Sequence, residues 1–517
     1  MAVFYSKFMN MGARAMDFHN KFGTAVFAVI LLSLLLLPQL PLGLSTPAVG
    51  STRSSPGSVA SPGNVVLWGP FGHPEGLNVS QIRRAYGFAS LGCYGAGTCG
   101  SGQVIAIVDA YNSPSVSTDL GNFSSYYHLP ICTTANGCLT IATPQGTPQK
   151  TNTSILGEWI YEITLDTQWA HAIAPNAKIL LVEARNQSSG ALLAAVKYAS
   201  SYPGVHQVSM SWAFWDNSTD SAFDQYFQVS GVSFFAASGD SGWNASGVVE
   251  WPAASPYVVG VGGTVLSLGS GGNVLSEVAW SGSGGGTNNY VTEPAYQHGF
   301  LPSWYTGGMR GVPDVSYVAG TALSIYISGW WYTVGGTSAG APQWAALMAI
   351  VNGERSSPIS GSFGADGALY AAANGTNYIS NYRDIVSGSN ANGHNCGNLC
   401  LAAPGYDFVT GLGSPMANCL VPFLVGQPVC HQYYLTMSAA YEGKGICEFG
   451  SISPSSGWYN GTNKVTISAT IGSGCSFLGW AGSGSGSYTG SSLSHGITMN
   501  GPITETATFY CRSNCLE

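Results

Sequence analysis

From about residue 78 the chain alternates short apolar runs with helical stretches, and this alternation constrains the fold more than any other feature. Gln103–Asp109, Lys178–Glu183, Val205–Trp212, Val232–Ala237 and Val258–Val261 are predicted strands; Glu158–Ala172 and Leu192–Ser201 are predicted helices. Short apolar strands separated by helices imply an α/β fold, a parallel sheet flanked by helices on both faces. Such sheets place their sites at the carboxyl ends of the strands. Asp109, Trp212 and Asp240 fall at or just past such ends.

The 517 residues leave room for more than one domain. Charged residues make up only 8%, against a usual share of about 25%. Polarity comes from hydroxyls and amides, which suits a protein whose carboxylates are often protonated, because few ion pairs are then lost in acid. The net charge of -8 and the lack of a basic patch argue against a nucleic-acid partner. Lys7, Arg14 and Lys21 precede an apolar run from Gly23 to Leu37, so residues 1–44 read as a signal peptide or an N-terminal membrane anchor. Either places the rest of the chain outside the cytoplasm, extracellular or at the cell surface. Twelve cysteines, several closely spaced (Cys93/Cys99, Cys132/Cys138, Cys396/Cys400, Cys511/Cys515), then read as disulfides rather than as a zinc site around His394. Eight Asn-x-Ser/Thr sequons are compatible with glycosylation.

Two motifs carry chemistry. Gly336-Thr-Ser-Ala-Gly-Ala-Pro342 delivers Ser338 into the start of an apolar helix. There it is either a helix cap or a nucleophile whose oxyanion would face backbone N–H groups and the helix dipole. Glu162 and Asp166 stand at i and i+4 on one helix among Trp159, Ile163, Leu165 and Trp169. Like charges at that spacing repel, so a buried pair shares a proton and one pKa rises; the alternative is a solvated acidic stripe. Glu158 rotates off this face.

Together these residues resemble the sedolisin family of serine-carboxyl peptidases, which share the subtilisin fold. The likeness runs from about 78 to 416. It rests on Glu162-x-x-x-Asp166, Val208-Ser-Met-Ser-Trp212, Ala237-Ser-Gly-Asp240, Gly284-Gly-Gly, Arg310-Gly-Val-Pro-Asp314 and Gly336-Thr-Ser338. A subtilisin His-Gly-Thr-His base segment is missing, and His171 lacks the Gly-rich neighbourhood it would need. The resemblance implies that Glu162 takes the proton of Ser338, Asp166 orients Glu162, and protonated Asp240 donates to the oxyanion. It also implies that Asp109 and Trp212 extend the proton network behind the pair. Polypeptides are the implied substrates, cut at about pH 2–5. One calcium ion is implied as well, held by the carboxylates of Asp384 and Asp407 and the carbonyls of Ile385, Ala403 and Gly405. The resemblance implies a folded pro-domain of well over a hundred residues, whereas fewer than about 40 separate the apolar segment from the expected domain start, a departure that counts against autoprocessing and chaperoned folding by a prosegment. Endopeptidase, tripeptidyl-peptidase and a catalytically silent surface protein are the readings to separate.

Residues 45–77 read as a Ser/Pro/Gly-rich linker, 78–416 as the catalytic domain, 417–430 as a second linker and 431–517 as a small all-β domain. The last resembles a divergent InlB-type repeat, through Gly457-Trp-Tyr-Asn-Gly461 and Phe477-Leu-Gly-Trp480. Surface attachment, substrate docking and a passive spacer are its implied roles. The N-terminal segment offers membrane attachment.

Overall fold

The computed structural model describes residues 60–511 except 63–67, 93–98, 151–152, 245–246, 270–271, 361–362, 428–431, 444–449 and 462–463. The expected signal or anchor lies outside these residues. Among the described residues no helix is long and apolar enough to cross a membrane.

The centre is an eight-stranded sheet. Its strands are β1 (Val104–Ala110), β2 (Leu139–Ala142), β3 (Lys178–Ala184), β4 (Val205–Met210), β5 (Ser233–Ala237), β6 (Val259–Leu268), β7 (Val274–Ala279) and β8 (Val315–Val318). Their order is β7-β6-β5-β4-β1-β3-β2, with β8 also beside β6. All neighbours are parallel except the edge pair β6/β7. Three helices matter to the site: α1 (Thr153–Ile173), α2 (Ser189–Ser201) and α3 (Gly340–Glu354).

Strand alternation sorts the core into two layers. Ile105, Ile107, Ile179 and Leu181 pack with Ile163, Leu165 and Trp169 of α1 and with Trp344 and Leu347 of α3. Ala106, Val108, Leu180 and Val182 pack on the other side with Leu192 and Val196 of α2. Asp109 and Glu183 continue the odd-numbered rows, so the same alternation aims both carboxyls at the layer that holds α1 and α3. Helix α1 is buried on every side from 162 to 173. A helix enclosed this way needs no amphipathic pattern, and its apolar and acidic residues are intermixed.

Three boundaries differ from the sequence reading. The strand expected over Val205–Trp212 stops at Met210, and Trp212–Trp215 forms a separate strand in a small sheet. The region read as a first linker contains the strands Ser61–Pro62 and Trp68–Phe71, which hydrogen-bond to the body of the fold. The region read as a second linker contains the helix Ala417–Val425, whose Ala417, Leu420, Val421 and Leu424 enter the core beneath α3. Pro422, a residue that ordinarily breaks a helix, lies inside this one.

Disulfides join Cys132–Cys138 and Cys396–Cys400, so no thiolates are left beside His394 for zinc. Cys511 is bonded to Cys475, not to its close sequence neighbour Cys515, because the two stand abreast on antiparallel strands. The residues from Gln432 to Cys511 form two sheets around their own core of Leu435, Ile467, Trp480, Ile497 and Phe509.

Candidate active site

The carboxyl ends of β1, β4 and β5 converge with α1 and the start of α3. Ser338 lies in a 3-10 turn, Thr337–Ala339, and the α-helix begins at Gly340, slightly later than the sequence suggested. No side chain caps either the turn or α3, so the helix-cap reading of this serine falls away. Ser338 is fully buried, as are Glu162, Asp166 and Asp109. Glu158 is exposed and apart from them.

Burial is the largest influence on Glu162, Asp166 and Asp109. It raises Glu162 well above the usual carboxylate range, and the charge of Asp109 raises it further, while the hydroxyls of Ser338 and Ser211 pull it back. It raises Asp166 likewise, with Asp109 and Glu162 adding to the effect and Ser211 opposing it. Asp109 is pushed up to about 8, first by burial and then by Glu183, which stands directly abreast on β3. Ser338 thus acts on Glu162 as a hydrogen-bonding neighbour, although neither side chain has a partner within strict hydrogen-bond geometry. Catalytic hydrogen bonds are often this loose before substrate binds.

Asp240 stands just beyond β5, and its place is fixed by Thr337. The Thr337 N–H and hydroxyl both donate to Asp240 Oδ1, at 2.7 and 2.8 Å. Thr337 Oγ1 in turn accepts the N–H of Gly239 at 3.2 Å. With two donors on Oδ1, a proton on this carboxyl belongs on Oδ2. Oδ2 packs over Gly336, where an added Cβ would come within 2.6 Å of it and where φ is +127°. On the expectation that Asp240 serves the oxyanion, Gly336→Ala should push Asp240 aside and lower kcat about a hundredfold, the usual loss for one oxyanion donor. Steady-state kinetics of the variant check this. Gly284 serves the same loop from behind. Its N–H donates to Gly239 at 2.7 Å, and any Cβ would collide with the Ser238 carbonyl.

Trp212 departs from its expected role. Its Nε1 donates to the Val108 carbonyl at 2.8 Å, so the indole braces β1 and does not donate to a carboxylate. His171 is likewise engaged elsewhere, 2.7 Å from the Pro130 carbonyl, and burial lowers its pKa to about 4.

Sequence reasoning missed three residues. Ser211, fully buried, donates to the Ser338 carbonyl at 3.4 Å and neighbours both Glu162 and Asp166. Its position immediately after a strand end was the available signal. Glu183 had no signal beyond lying on an apolar strand. Glu250 packs against Gly239 beside Asp240 and is pushed up to about 8, by burial first and by Asp240 second.

Two of the segments named for calcium meet: Asp384 lies just after the strand Tyr382–Arg383 and faces the stretch Ala403–Asp407. Asp384 accepts the Gly405 N–H at 3.0 Å, and Asp407 accepts the Ala403 N–H at 3.2 Å. Burial raises both carboxyls, Asp407 to about 7. Among the described residues neither forms an ion pair with Lys, Arg or His.

A parallel sheet with a serine at the start of a buried helix and an acid at the end of the first strand defines the subtilisin-like fold. The chain belongs to the subtilase family, whose profile matches residues 150–501. Kumamolisin of Bacillus sp. (strain MN-32) is 30% identical over 382 residues, 68% of this chain and 64% of that protein. Sedolisin of Pseudomonas sp. (strain 101) is 32% identical over 238 residues, 41% and 39% of the two chains. Tripeptidyl-peptidase 1 of Dictyostelium discoideum is 30% identical over 294 residues, covering 51% and 47%. The chain thus spans less than two thirds of the length of these relatives. The solved structure of Pseudomonas sedolisin (serine-carboxyl proteinase), complexed with two molecules of pseudo-iodotyrostatin, superimposes with a TM-score of 0.57 at 25% identity. It covers 68% of this chain and 99% of that one.

Proposed function

We propose that this chain is an exported serine-carboxyl endopeptidase that works in acid. The observation that carries the reading is the convergence on Ser338: Glu162 neighbours its hydroxyl, and Asp240 is anchored to the residue before it. Glu162 takes the Ser338 proton as Oγ attacks the peptide carbonyl. Asp166 shares the charge of Glu162. Asp240, protonated at Oδ2, donates to the oxyanion. Glu162 returns the proton to the leaving amine, and water then hydrolyses the acyl-enzyme. The disulfides favour an oxidising, extracytoplasmic setting.

The pair must lose a proton while Asp240 keeps one, which gives a bell-shaped profile. Because burial and Asp109 raise both members of the pair, the acid limb moves up. The maximum is expected in the upper half of about pH 2–5. The test is hydrolysis of a denatured, N-terminally blocked protein across pH. An endopeptidase cuts it internally, a tripeptidyl-peptidase leaves it intact, and an optimum above pH 7 sinks the carboxylate mechanism.

Asp384 and Asp407, with the carbonyls of Ile385, Ala403 and Gly405, would hold one calcium ion. An all-oxygen donor set with one buried and one half-buried carboxyl and, among the described residues, no ion-pair partner fits a hard divalent cation. Bound there, the ion would neutralise both carboxylates and tie the two loop segments together. A chelator is expected to lower the melting temperature by about 5 °C. Unchanged melting in differential scanning fluorimetry would remove the site.

A further inference from the structure

Asp240 is held by more than Thr337. The backbone on either side of it is tied to a loop far off in sequence, residues 388–401. Ser389 and Leu401 pair as an antiparallel bridge at the base of this loop, and the Cys396–Cys400 disulfide closes its far end. The Cys400 carbonyl accepts two bonds, from the Asn390 N–H at 3.1 Å and from the Ser389 hydroxyl at 2.6 Å. Asn390 is therefore seated against the disulfide, and it is fully buried. From that seat it grips the oxyanion side of the site twice. Its carbonyl accepts the Trp243 N–H at 2.7 Å, and its Nδ2 donates to the Ser283 carbonyl at 2.7 Å. Ser283 precedes Gly284, whose N–H holds the Gly239 carbonyl at 2.7 Å. Asn392, in a left-handed conformation with φ of +47°, donates from Nδ2 to the Ser241 carbonyl at 2.8 Å. The fit is close: a Cβ added at Gly242 would lie 2.5 Å from Asn392 Nδ2 and 2.8 Å from the Asn390 carbonyl oxygen.

We infer that Asn390 and Asn392 are positioning residues for Asp240, and that the Cys396–Cys400 disulfide keeps them in place and makes the rate sensitive to dithiols. The inference rests on the oxyanion role proposed for Asp240 above. Neither asparagine touches the reacting atoms. They act through Gly239, Ser241 and Trp243, the backbone that carries Asp240. An oxyanion donor works only within a fraction of an ångström of its productive place, so a slack loop lowers the rate of the chemical step and leaves substrate binding alone. Cys396 is half-buried and Cys400 buried, so a small thiol reaches the bond from the Cys396 side. A dithiol opens it in two exchanges. Its first thiolate bonds to the Cys396 sulfur, and Cys400 leaves as a thiolate that takes up a proton. Its second thiolate then displaces Cys396, which takes up a proton in turn. The protein disulfide gains two electrons, and the dithiol, having given up two protons, becomes a cyclic disulfide.

The experiment measures kcat and KM of the full chain on a denatured protein at about pH 4, inside the expected acid window, with calcium in excess. Each enzyme is assayed oxidised and after treatment with dithiothreitol at neutral pH. Asn392 is exposed, so Asn392→Ala is expected to fold. It should lower kcat about tenfold, part of the hundredfold cost of losing the donor outright, with KM unchanged within about twofold. Cys396→Ser/Cys400→Ser should lose a similar factor and ignore dithiothreitol, which brings wild type down to the same level. Adding Asn392→Ala to the serine pair should cost less than about twofold more, because both changes release one contact. A merely structural role would not give that non-additivity. If the serine pair misfolds, reduced wild type and reduced Asn392→Ala complete the same cycle. Unchanged kcat in Asn392→Ala, a loss carried by KM, or fully additive losses overturn the inference and leave the peptidase reading standing. So does a loss on reduction that persists in the serine pair, which would place it at another disulfide. No acid hydrolysis by oxidised wild type overturns the peptidase reading itself.

Discussion

Ser338→Ala is expected to lower kcat on a denatured protein in acid by about four to six orders of magnitude. The size follows from the site. Among the described residues, Ser338 is the hydroxyl that sits both beside Glu162 and one residue from the Thr337 anchor of Asp240. Ser211 also neighbours Glu162, but its hydroxyl is directed to the Ser338 carbonyl. Glu162→Gln is expected to cost nearly as much, and the double variant little more, because a nucleophile without its base and a base without its nucleophile fail at the same step. Ser211→Ala separates chemistry from support. It removes a group that lowers both carboxyls, so its acid limb is expected to move to higher pH with a smaller loss of maximal rate. A Ser338→Ala enzyme as active as wild type would end the proposed mechanism.

Stability is expected to fall, not rise, between pH 4 and 8. Asp109, Glu250 and Asp216 are each pushed up to about 8, and Glu183 to about 7, with burial the first cause in all four. A carboxyl whose folded pKa lies above its unfolded value binds more protons in the native state. Its contribution is complete below the unfolded pKa and is lost as pH rises through the folded one. For fully buried Asp109 the loss by pH 7 is about 4 kcal/mol, against a total stability of about 5–15 kcal/mol for a folded domain. Urea midpoints of the Ser338→Ala variant, which cannot digest itself, should drop steadily from pH 4 to 8. A rising midpoint would mean that these carboxyls ionise freely in the fold.

The parallel sheet was legible because its strands are short, apolar and separated by helices. The Glu162/Asp166 pair was legible because i and i+4 spacing survives in any helix. Their complete burial was not, since it depends on α3 and β1 packing around α1. Trp212 could be placed at a strand end but not oriented: its indole answers to a carbonyl on a neighbouring strand that sequence order does not show to be adjacent. Thr337 stood in plain view as a possible cap, while its partnership with Asp240 spans 97 residues. The region read as a linker shows the limit most clearly. Ser, Pro and Gly mark a chain with little core-forming power of its own, yet backbone pairing needs no side chain. Ala60–Pro62 therefore joins a sheet on main-chain hydrogen bonds.

The carboxy-terminal strands carry a mechanical consequence. Gln432–Glu442 and Ile503–Cys511, the first and last strands of that unit, run side by side and parallel, matched from Leu435/Ile503 to Glu442/Tyr510. Chain enters at one end of this pair and leaves at the other. A pull transmitted through the polypeptide therefore drags the two strands lengthwise past each other, loading their whole ladder at once rather than peeling it bond by bond. The Cys475–Cys511 bond ties the last strand to its other neighbour as well. These strands form a shear-loaded clamp between the point where the chain enters the unit and the point where it leaves.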